Sequence, residues 1–365
     1  MKHVIVLPAL FLFLLASSGC TDQEERLLSV RADQLADVYT YGAKPAHESF
    51  TGYAKALYES VNKLAQNPTE QTLSEAQDLW LKATIAYKRC ELYNIGAVER
   101  TYLSHRVHRW PADTSAIYKF VYESDYFDMD AVERAGTYAV GLAAIEYLLF
   151  GADSEATLKV IEDYEDPTSN FLLLLTVHLY EVAEELEQAW INFSEDFIES
   201  TDLGVFGSQN QLINSMVFHL KESVRYRLGK PLGEATGGNV QTDLAETPYA
   251  HVSLLTLKAG LLEFERILSG NYGDQTEGIG YYDYLTEIGE EAIVPRLKES
   301  VNSVKNQINE MAGLSPDGNL AFLLVDYPSS VESLKTKMMD LLTLVKVDLI
   351  SLIGATVTIN DTDAD

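Results

Sequence analysis

The sequence predicts an all-α fold made of two bundle-like domains of long antiparallel helices. Apolar residues recur at spacings of three and four along several long stretches, which is the pattern of one buried helix face. Alternating apolar and polar residues flanked by two-residue turns, the pattern of a half-buried strand, are scarce. Since amphipathic helices bury their apolar faces against one another, helical bundles are the expected architecture.

The clearest helical stretch is "EQTLSEAQDLWLKATIAYKRCELYNIG", residues 70–96. Thr72 or Ser74 can cap its start, and Gly96 is expected to end it. Cys90 is expected to be a small buried hydrophobe rather than a reactive thiol. The predicted inner face consists of Leu73, Ala76, Trp80, Ala83, Tyr87, Cys90 and Glu91.

Similar stretches follow along the chain and are broken by polar segments. The segment 194–207 separates two long helices and places a domain boundary near residue 200. Residues 229–250, rich in Gly, Pro, Thr and Asn, predict an extended loop, which is either functional or a simple excursion. The further helical stretches are 133–151, 170–193, 209–229, 250–270 and 333–353. We therefore expect an N-terminal bundle at 25–200, a C-terminal bundle at 201–355 and an acidic tail at 356–365.

The first residues, "MKHVIVLPALFLFLLASSGC", have the composition of a secretory signal at 1–19 and are too short for a membrane span. "SSGC" resembles a bacterial lipobox, in which Cys20 becomes the acylated N-terminus, although Ser17 departs from the usual leucine. Simple cleavage into the periplasm is the alternative. Thr21 resembles the outer-membrane sorting pattern, so we expect an exported lipoprotein whose anchor is the outer membrane, facing the periplasm or the cell surface.

The chain is strongly acidic, with 55 Asp and Glu against 27 Lys and Arg and a formal net charge of -28. Such a surface repels phosphate backbones, so nucleic acid is not an expected partner. If Cys20 is acylated, Cys90 is the only remaining thiol, and a disulfide within the chain is excluded.

Three segments in order resemble the imelysin-like family, which is related to the insulin-cleaving membrane protease and to periplasmic iron-uptake proteins. They are "LSEAQDLWLKATIAYKRCELYNIG", "RWPADTSAIYKFV" and "GLAAIEYLLFG". The residues that carry the resemblance are Trp80, Tyr87, Glu91, Trp110, Pro111, Gly141, Glu146 and Gly151. The resemblance implies an exported, often lipidated helical protein of two domains that is associated with iron or other metal handling.

The family's hallmark is Gly-x-His-x-x-Glu on a helix, whose imidazole and carboxylate can converge on one cation. Gly141 and Glu146 match this motif, but Ala143 fills the histidine position. A divalent cation or iron could still bind through Glu146, Glu91 and a tyrosine oxygen, a ligand set that favours hard cations.

The alternative for Glu146 is a structural role, as a buried acid hydrogen-bonded to a tyrosine or to an arginine such as Arg89 or Arg134. An unpaired buried carboxylate would cost several kcal/mol, so a partner is expected.

Other side chains extend the candidate site. Tyr87, Trp110 and Tyr147 are predicted to line a ligand cleft, where aromatic rings exclude water and polar groups orient a small ligand. His105 and His108 could share a metal, but the adjacent arginines favour surface histidines in a basic patch. His178, His219 and His251 are predicted to be isolated core or capping histidines.

No catalytic residues are predicted. The sequence contains neither His-Glu-x-x-His nor Gly-x-Ser-x-Gly, so the sets that activate water or a serine are missing. We therefore expect a non-catalytic protein that binds a small ligand or an iron-uptake protein. The alternative is an imelysin-type metallopeptidase with rearranged metal ligands.

Overall fold

The computed structural model confirms the predicted all-α class. The structure describes residues 23–123, 128–163, 166–273, 276–315 and 318–358. The predicted signal peptide, Cys20 and most of the acidic tail lie outside the described residues. None of the helices in the described ranges combines the length and the hydropathy that crossing a bilayer requires.

The described chain is mostly helical. The helices are α1 (23–37), α2 (Lys44–Gln66), α3 (Glu70–Cys90), α4 (Gly96–Glu99), α5 (Ser104–Val107), α6 (Thr114–Glu123), α7 (Met129–Arg134), α8 (Gly141–Phe150), α9 (Ser154–Glu162), α10 (Thr168–Glu199), α11 (Ser208–Glu222), α12 (Ser253–Ser269), α13 (Tyr281–Glu287), α14 (Val294–Leu314), α15 (Leu320–Asp326), α16 (Pro328–Thr343) and α17 (Ile350–Leu352). Short 3₁₀ turns lie at Glu91–Tyr93, Glu234–Thr236, Thr242–Leu244 and Glu291–Ile293, and π-helical segments at Val38–Ala43, Ser223–Gly229 and Leu344–Leu349. A small antiparallel hairpin pairs β1 (Asn271–Gly273) with β2 (Thr276–Glu277).

The first half of the chain packs around α2, α3, α8 and α10. The short connection between α2 and α3 makes them neighbours, and α10 covers α2 along much of its length. Trp80 of α3 is fully buried and donates its indole N–H to the carbonyl oxygen of Leu142 at 2.9 Å. This contact fixes α8 against α3, which positions the Glu146 helix.

The second half packs around α11, α14 and α16, and α12 contacts both α3 and α14. One connected set of buried apolar side chains runs through both halves. The predicted boundary near residue 200 falls in the connection between α10 and α11. The division into separate domains at that point stays a prediction.

The ends of α3 differ from the sequence-based expectation. Thr69, rather than Thr72 or Ser74, caps the helix, and the Thr69 backbone N–H donates in turn to Thr72 Oγ1. The helix ends at Cys90, where a 3₁₀ turn follows before Gly96. Cys90 is buried as predicted, and this burial raises the pKa of its thiol well above the usual value.

Candidate functional site

A buried lysine lies at the centre of a charged cluster between the two halves of the chain. The ammonium group of Lys88, in the last turn of α3, donates to Glu91 Oε1 and to Glu246 Oε1, both at 2.6 Å. It also lies 3.1 Å from Nδ1 of His108. An ammonium group has three donors and no acceptor, so these three contacts satisfy Lys88 completely.

Arg227 provides the second cation of the cluster. It lies in the π-helical segment after α11 and donates to Glu91 Oε2 at 2.7 Å and to Glu246 Oε1 at 3.3 Å. Thr256 donates to the other oxygen of Glu246 at 2.9 Å. Each carboxylate therefore contacts both cations, and the cluster joins α3 to the 229–250 segment and to α12.

The charges within this cluster cancel. Burial alone would raise the pKa of Glu91, but the charges of Arg227 and Lys88 outweigh it and lower the pKa to about 2. The same two cations overcome burial at Glu246 and hold its pKa well below the usual range. Two ionised acids thus face two cations, which is how a buried charged group avoids a large desolvation cost.

Two histidines adjoin the cluster in neutral form. Burial, reinforced by the charge of Lys88, lowers the pKa of His108 to about 3. Burial and Arg227 lower the pKa of His219 to about 3. The prediction of a surface His108 was therefore wrong, whereas His219 is a core histidine as predicted, with its Nδ1 3.8 Å from Glu91 Oε2.

Trp110 covers the cluster. Its ring lies 5.6 Å from the Lys88 ammonium and 5.5 Å from the Arg227 guanidinium, both within cation–π range. The ring also stacks on His108 with 5.4 Å between centroids, and Tyr87 meets His108 edge-on with 6.4 Å between centroids. Tyr87 and Trp110, predicted as cleft residues, are thus brought together around the charged cluster.

Glu146 is buried in α8 and has backbone partners. Its Oε1 accepts hydrogen bonds from the N–H groups of Tyr249 and Ala250, both at 2.9 Å. Burial outweighs these two bonds and raises the pKa of Glu146 to about 7. The ring of the third predicted cleft residue, Tyr147, packs on Tyr249 at 5.3 Å.

The prediction that a tyrosine or arginine side chain is the partner of Glu146 was wrong. Glu146 accepts from main-chain amides, and Arg89 instead pairs with Glu263 at 2.8 Å. The 229–250 segment supplies those amides as well as Glu246, so it packs against α8 and α3, and whether it is functional stays a prediction.

Gly141 places α8 against the His108 segment. Its φ of +73° lies in the left-handed region, and a Cβ built there would lie 2.3 Å from the carbonyl oxygen of Val107 and 2.5 Å from that of Arg106. Only glycine combines this φ with so close an approach to backbone.

Gly141→Ala is therefore expected to lower the free energy of unfolding, by about 1–3 kcal/mol from the backbone conformation alone. Gly52, in α2, is the matched control because a Cβ there meets nothing within 4 Å. Gly52→Ala should stabilise by up to about 1 kcal/mol, since alanine favours helix. Urea unfolding of both variants measures the difference. Equal effects would contradict a tight fit at Gly141.

As arranged, the cluster does not fit a metal ion. Lys88 already takes the position between two carboxylates and an imidazole that a cation would need. Because an ammonium group only donates, Nδ1 of His108 must accept, which leaves the ring proton on Nε2 and no free lone pair. Within the described residues, no group of three or more His, Cys, Asp or Glu side chains is arranged to hold a metal.

The two predicted metal ligands have different partners. Glu91 contacts Lys88 and Arg227, whereas Glu146 contacts the main chain of the 229–250 segment. That Glu91 and Glu146 bind one cation together stays a prediction. Among the described residues, the two carboxylates have no partner in common.

An open cleft of about 330 Å³ lies beside Glu91. It is bordered by the segment after α3, by α11 and by Val357 and Thr358. Tyr87, Trp110 and Tyr147 are not among its lining residues. Its lining residues include Asn94, Arg100, Val205, Phe206, Phe218 and Lys346.

The sequence indicated only weakly that Lys88 and Arg227 belong to a buried charged cluster. Lys88 and Glu91 are one helical turn apart at the edge of the apolar face of α3, where a charged pair is unexpected. Glu246 and Arg227 lie far away in sequence, and local spacing alone could not join them to Lys88.

Fold and site together define an all-α protein of two packed helical groups held at their junction by a buried charged cluster. The chain belongs to the imelysin family, whose model matches residues 43–321. This confirms the resemblance noted in the sequence.

Two solved structures have a similar fold. An imelysin-like protein from Psychrobacter arcticum 273-4 superposes with a TM-score of 0.73 at 15% identity, covering 91% of this chain and 98% of that one. An iron-regulated protein A precursor from Parabacteroides distasonis ATCC 8503 gives 0.70 at 15% identity, covering 90% and 95%. A search of curated proteins found no match.

Proposed function

We propose that this chain is a non-catalytic binding protein of the cell envelope that serves iron or other metal acquisition. Membership of the imelysin family and the fold shared with an iron-regulated protein A precursor support the link to iron. The observation that carries the non-catalytic part is the Lys88 ammonium group, which lies where a metal ion would have to contact Glu91, Glu246 and His108.

Hydrolysis by a metal centre needs an activated water and a nearby general base. The carboxylates of the cluster are committed to Lys88 and Arg227, so their charge is already balanced. Ala143 is buried one turn before Glu146 and offers only a methyl group. The site therefore lacks a ligand set that could hold and ionise a water.

A rearranged metallopeptidase is the second candidate, and His108 favours it. This histidine comes from a different segment than the degenerate motif, yet its Nδ1 lies 3.6 Å from Glu246 Oε1. A cation at that point would have to displace the Lys88 ammonium. This competing ion pair is the reason we prefer the non-catalytic function.

The proposal places the chain on the outer membrane through an acylated Cys20, with an iron-uptake protein or a small ligand as its partner. It rests on the lipobox-like "SSGC" and on the exported character of the resemblance. The strongly acidic surface argues against a nucleic-acid partner.

Bare metal ions are expected to bind weakly, and unfolded casein is expected to stay uncut. The purified protein would be titrated calorimetrically with Zn²⁺, Ca²⁺ and anaerobic Fe²⁺, with Glu246→Gln and Glu146→Ala as matched variants. Chelator-sensitive cleavage lost in Glu146→Ala would establish the metallopeptidase instead, and micromolar binding lost in Glu246→Gln would show that a cation can replace Lys88 in the cluster.

The link to iron has its own measurement. A strain lacking this protein is expected to grow more slowly when iron is chelated, and the wild-type chain should restore growth. Equal growth of both strains over a range of chelator concentrations would remove iron acquisition from the proposal.

A further inference from the structure

The cleft beside Glu91 is a second feature of the junction, distinct from the buried cluster. Its volume of about 330 Å³ suits a small ligand, at the lower end of the usual range for binding pockets. One wall is the chain at 356–358, which is held on α11 by side-chain amides. Asn210 accepts from the Thr356 N–H at 2.6 Å, and Asn214 accepts from the Thr358 N–H at 2.9 Å.

The cleft is positively charged within an acidic protein. Arg100, Lys221 and Lys346 line it, and within the described residues neither Arg100 nor Lys346 has a carboxylate partner. Glu91 is neutralised by Arg227 and Lys88, which leaves Glu99 as the one uncompensated acid of the lining. Acids outnumber basic residues by 55 to 27 in this chain, so unpaired cations lining one cleft favour an anionic ligand.

Large apolar side chains that line the same cleft are exposed to solvent. Phe206 is 83% exposed, Phe218 is 41% exposed and Val205 is 40% exposed, and all three line the cavity. Apolar surface beside unpaired cations suits a ligand with a flat hydrophobic body and an anionic group.

Asn94 adds a hydrogen-bond requirement. Its amide nitrogen donates to Ser104 Oγ at 3.3 Å, while its buried Oδ1 has no partner among the described residues. A buried carbonyl oxygen without a donor costs free energy, so a rotation of Asn94 that presents Oδ1 to the cleft is favoured when a ligand there brings an O–H or N–H group.

We propose that this cleft binds a small hydroxylated aryl carboxylate. The carboxylate faces Arg100 and Lys346, the ring packs on Phe206 and Phe218, and the hydroxyl donates to Asn94 Oδ1. The same hydroxyl and carboxylate oxygens chelate Fe³⁺, a hard cation, after the hydroxyl loses its proton, and the chelated oxygen then no longer donates to Asn94. That the bound form carries iron rests on the proposed function, whereas the binding of the organic anion rests on the cleft alone.

Calorimetry with salicylate, benzoate and ferric salicylate tests the proposal. We expect salicylate to bind the wild-type protein, benzoate to bind several-fold more weakly because it lacks the hydroxyl, and the ferric complex to bind about as weakly as benzoate because its phenolate oxygen has no proton to donate. The Arg100→Gln/Lys346→Gln variant should weaken salicylate binding at least tenfold. The matched control, Lys55→Gln/Arg134→Gln, removes the same charges at exposed positions away from the cleft and should change binding less than twofold.

The outcomes separate the two proposals. If salicylate does not bind at millimolar concentration, or if both double variants weaken its binding equally, the proposal that the cleft binds an organic anion is wrong. Benzoate binding as tight as salicylate overturns the role of Asn94. If salicylate binds through Arg100 and Lys346 but the ferric complex does not, the cleft stands and its link to iron fails.

Discussion

Replacing Lys88 with methionine is expected to lower the free energy of unfolding by about 3–5 kcal/mol, the range seen when one partner of a buried ion pair is removed. Methionine keeps the length of the side chain but leaves Glu91 and Glu246 with one cation, Arg227, in a desolvated environment. It also removes the hydrogen bond to His108 Nδ1. Chemical unfolding at neutral pH, followed by circular dichroism, measures the loss.

Lys82→Met is the matched control for this change. Lys82 lies on the same helix and pairs with Asp78 at 2.6 Å, but that pair is exposed to solvent. Its removal should change stability little, because water screens exposed ion pairs. Adding Glu246→Gln to Lys88→Met should restore part of the lost stability by removing an unpaired charge. A cost for Lys88→Met no greater than for Lys82→Met would show that the cluster is not the desolvated network described above.

Glu146→Gln is expected to stabilise the protein at pH 8 by about 3 kcal/mol and to have little effect near pH 4.5. Burial raises the pKa of Glu146 from 4.5 to about 7, so the folded state holds its proton where the unfolded state has lost it. The contribution of this acid to stability is therefore greatest below pH 4.5, falls between pH 4.5 and 7, and stays low above pH 7. Glutamine still accepts from Tyr249 and Ala250 without paying for a buried charge.

The measurement is the free energy of unfolding of both proteins at several pH values between 4.5 and 8. The difference between variant and wild type should grow across this window and then level off. Glu59→Gln, at an exposed position on α2, controls for the loss of one negative charge and should show no such trend. Glu146→Ala should destabilise at every pH, because the two amides lose their acceptor. A difference for Glu146→Gln that does not vary with pH would mean that folding does not raise the pKa of Glu146.

The cluster and the cleft give the junction two distinct properties. The cluster is electrically balanced and closed, with Trp110 above both cations. The cleft is open, and Arg100 and Lys346, which have no carboxylate partner among the described residues, lie beside exposed phenylalanines. Glu91 belongs to both, since it pairs with Lys88 and Arg227 and also lines the cleft. A ligand in the cleft would therefore lie beside Glu91, whose negative charge is already balanced by Lys88 and Arg227.

The sequence by itself determined the all-α class, the positions of the long helices and the family. It also indicated that Cys90 is buried and that Gly141 and Glu146 belong to a degenerate motif. These features are local, because a buried helix face repeats every three to four residues and a motif keeps its spacing in the chain.

Only the tertiary structure decided which charged groups meet. Lys88 and Glu246 are separated by 158 positions, and Lys88 and His108 by 20, yet all three are in contact. Helix periodicity shows which side of a helix is buried but not which residue of another segment faces it. The partners depend on how α3, α12 and the 229–250 segment pack in three dimensions, and this packing gave Glu91, a predicted metal ligand, a lysine and an arginine as partners.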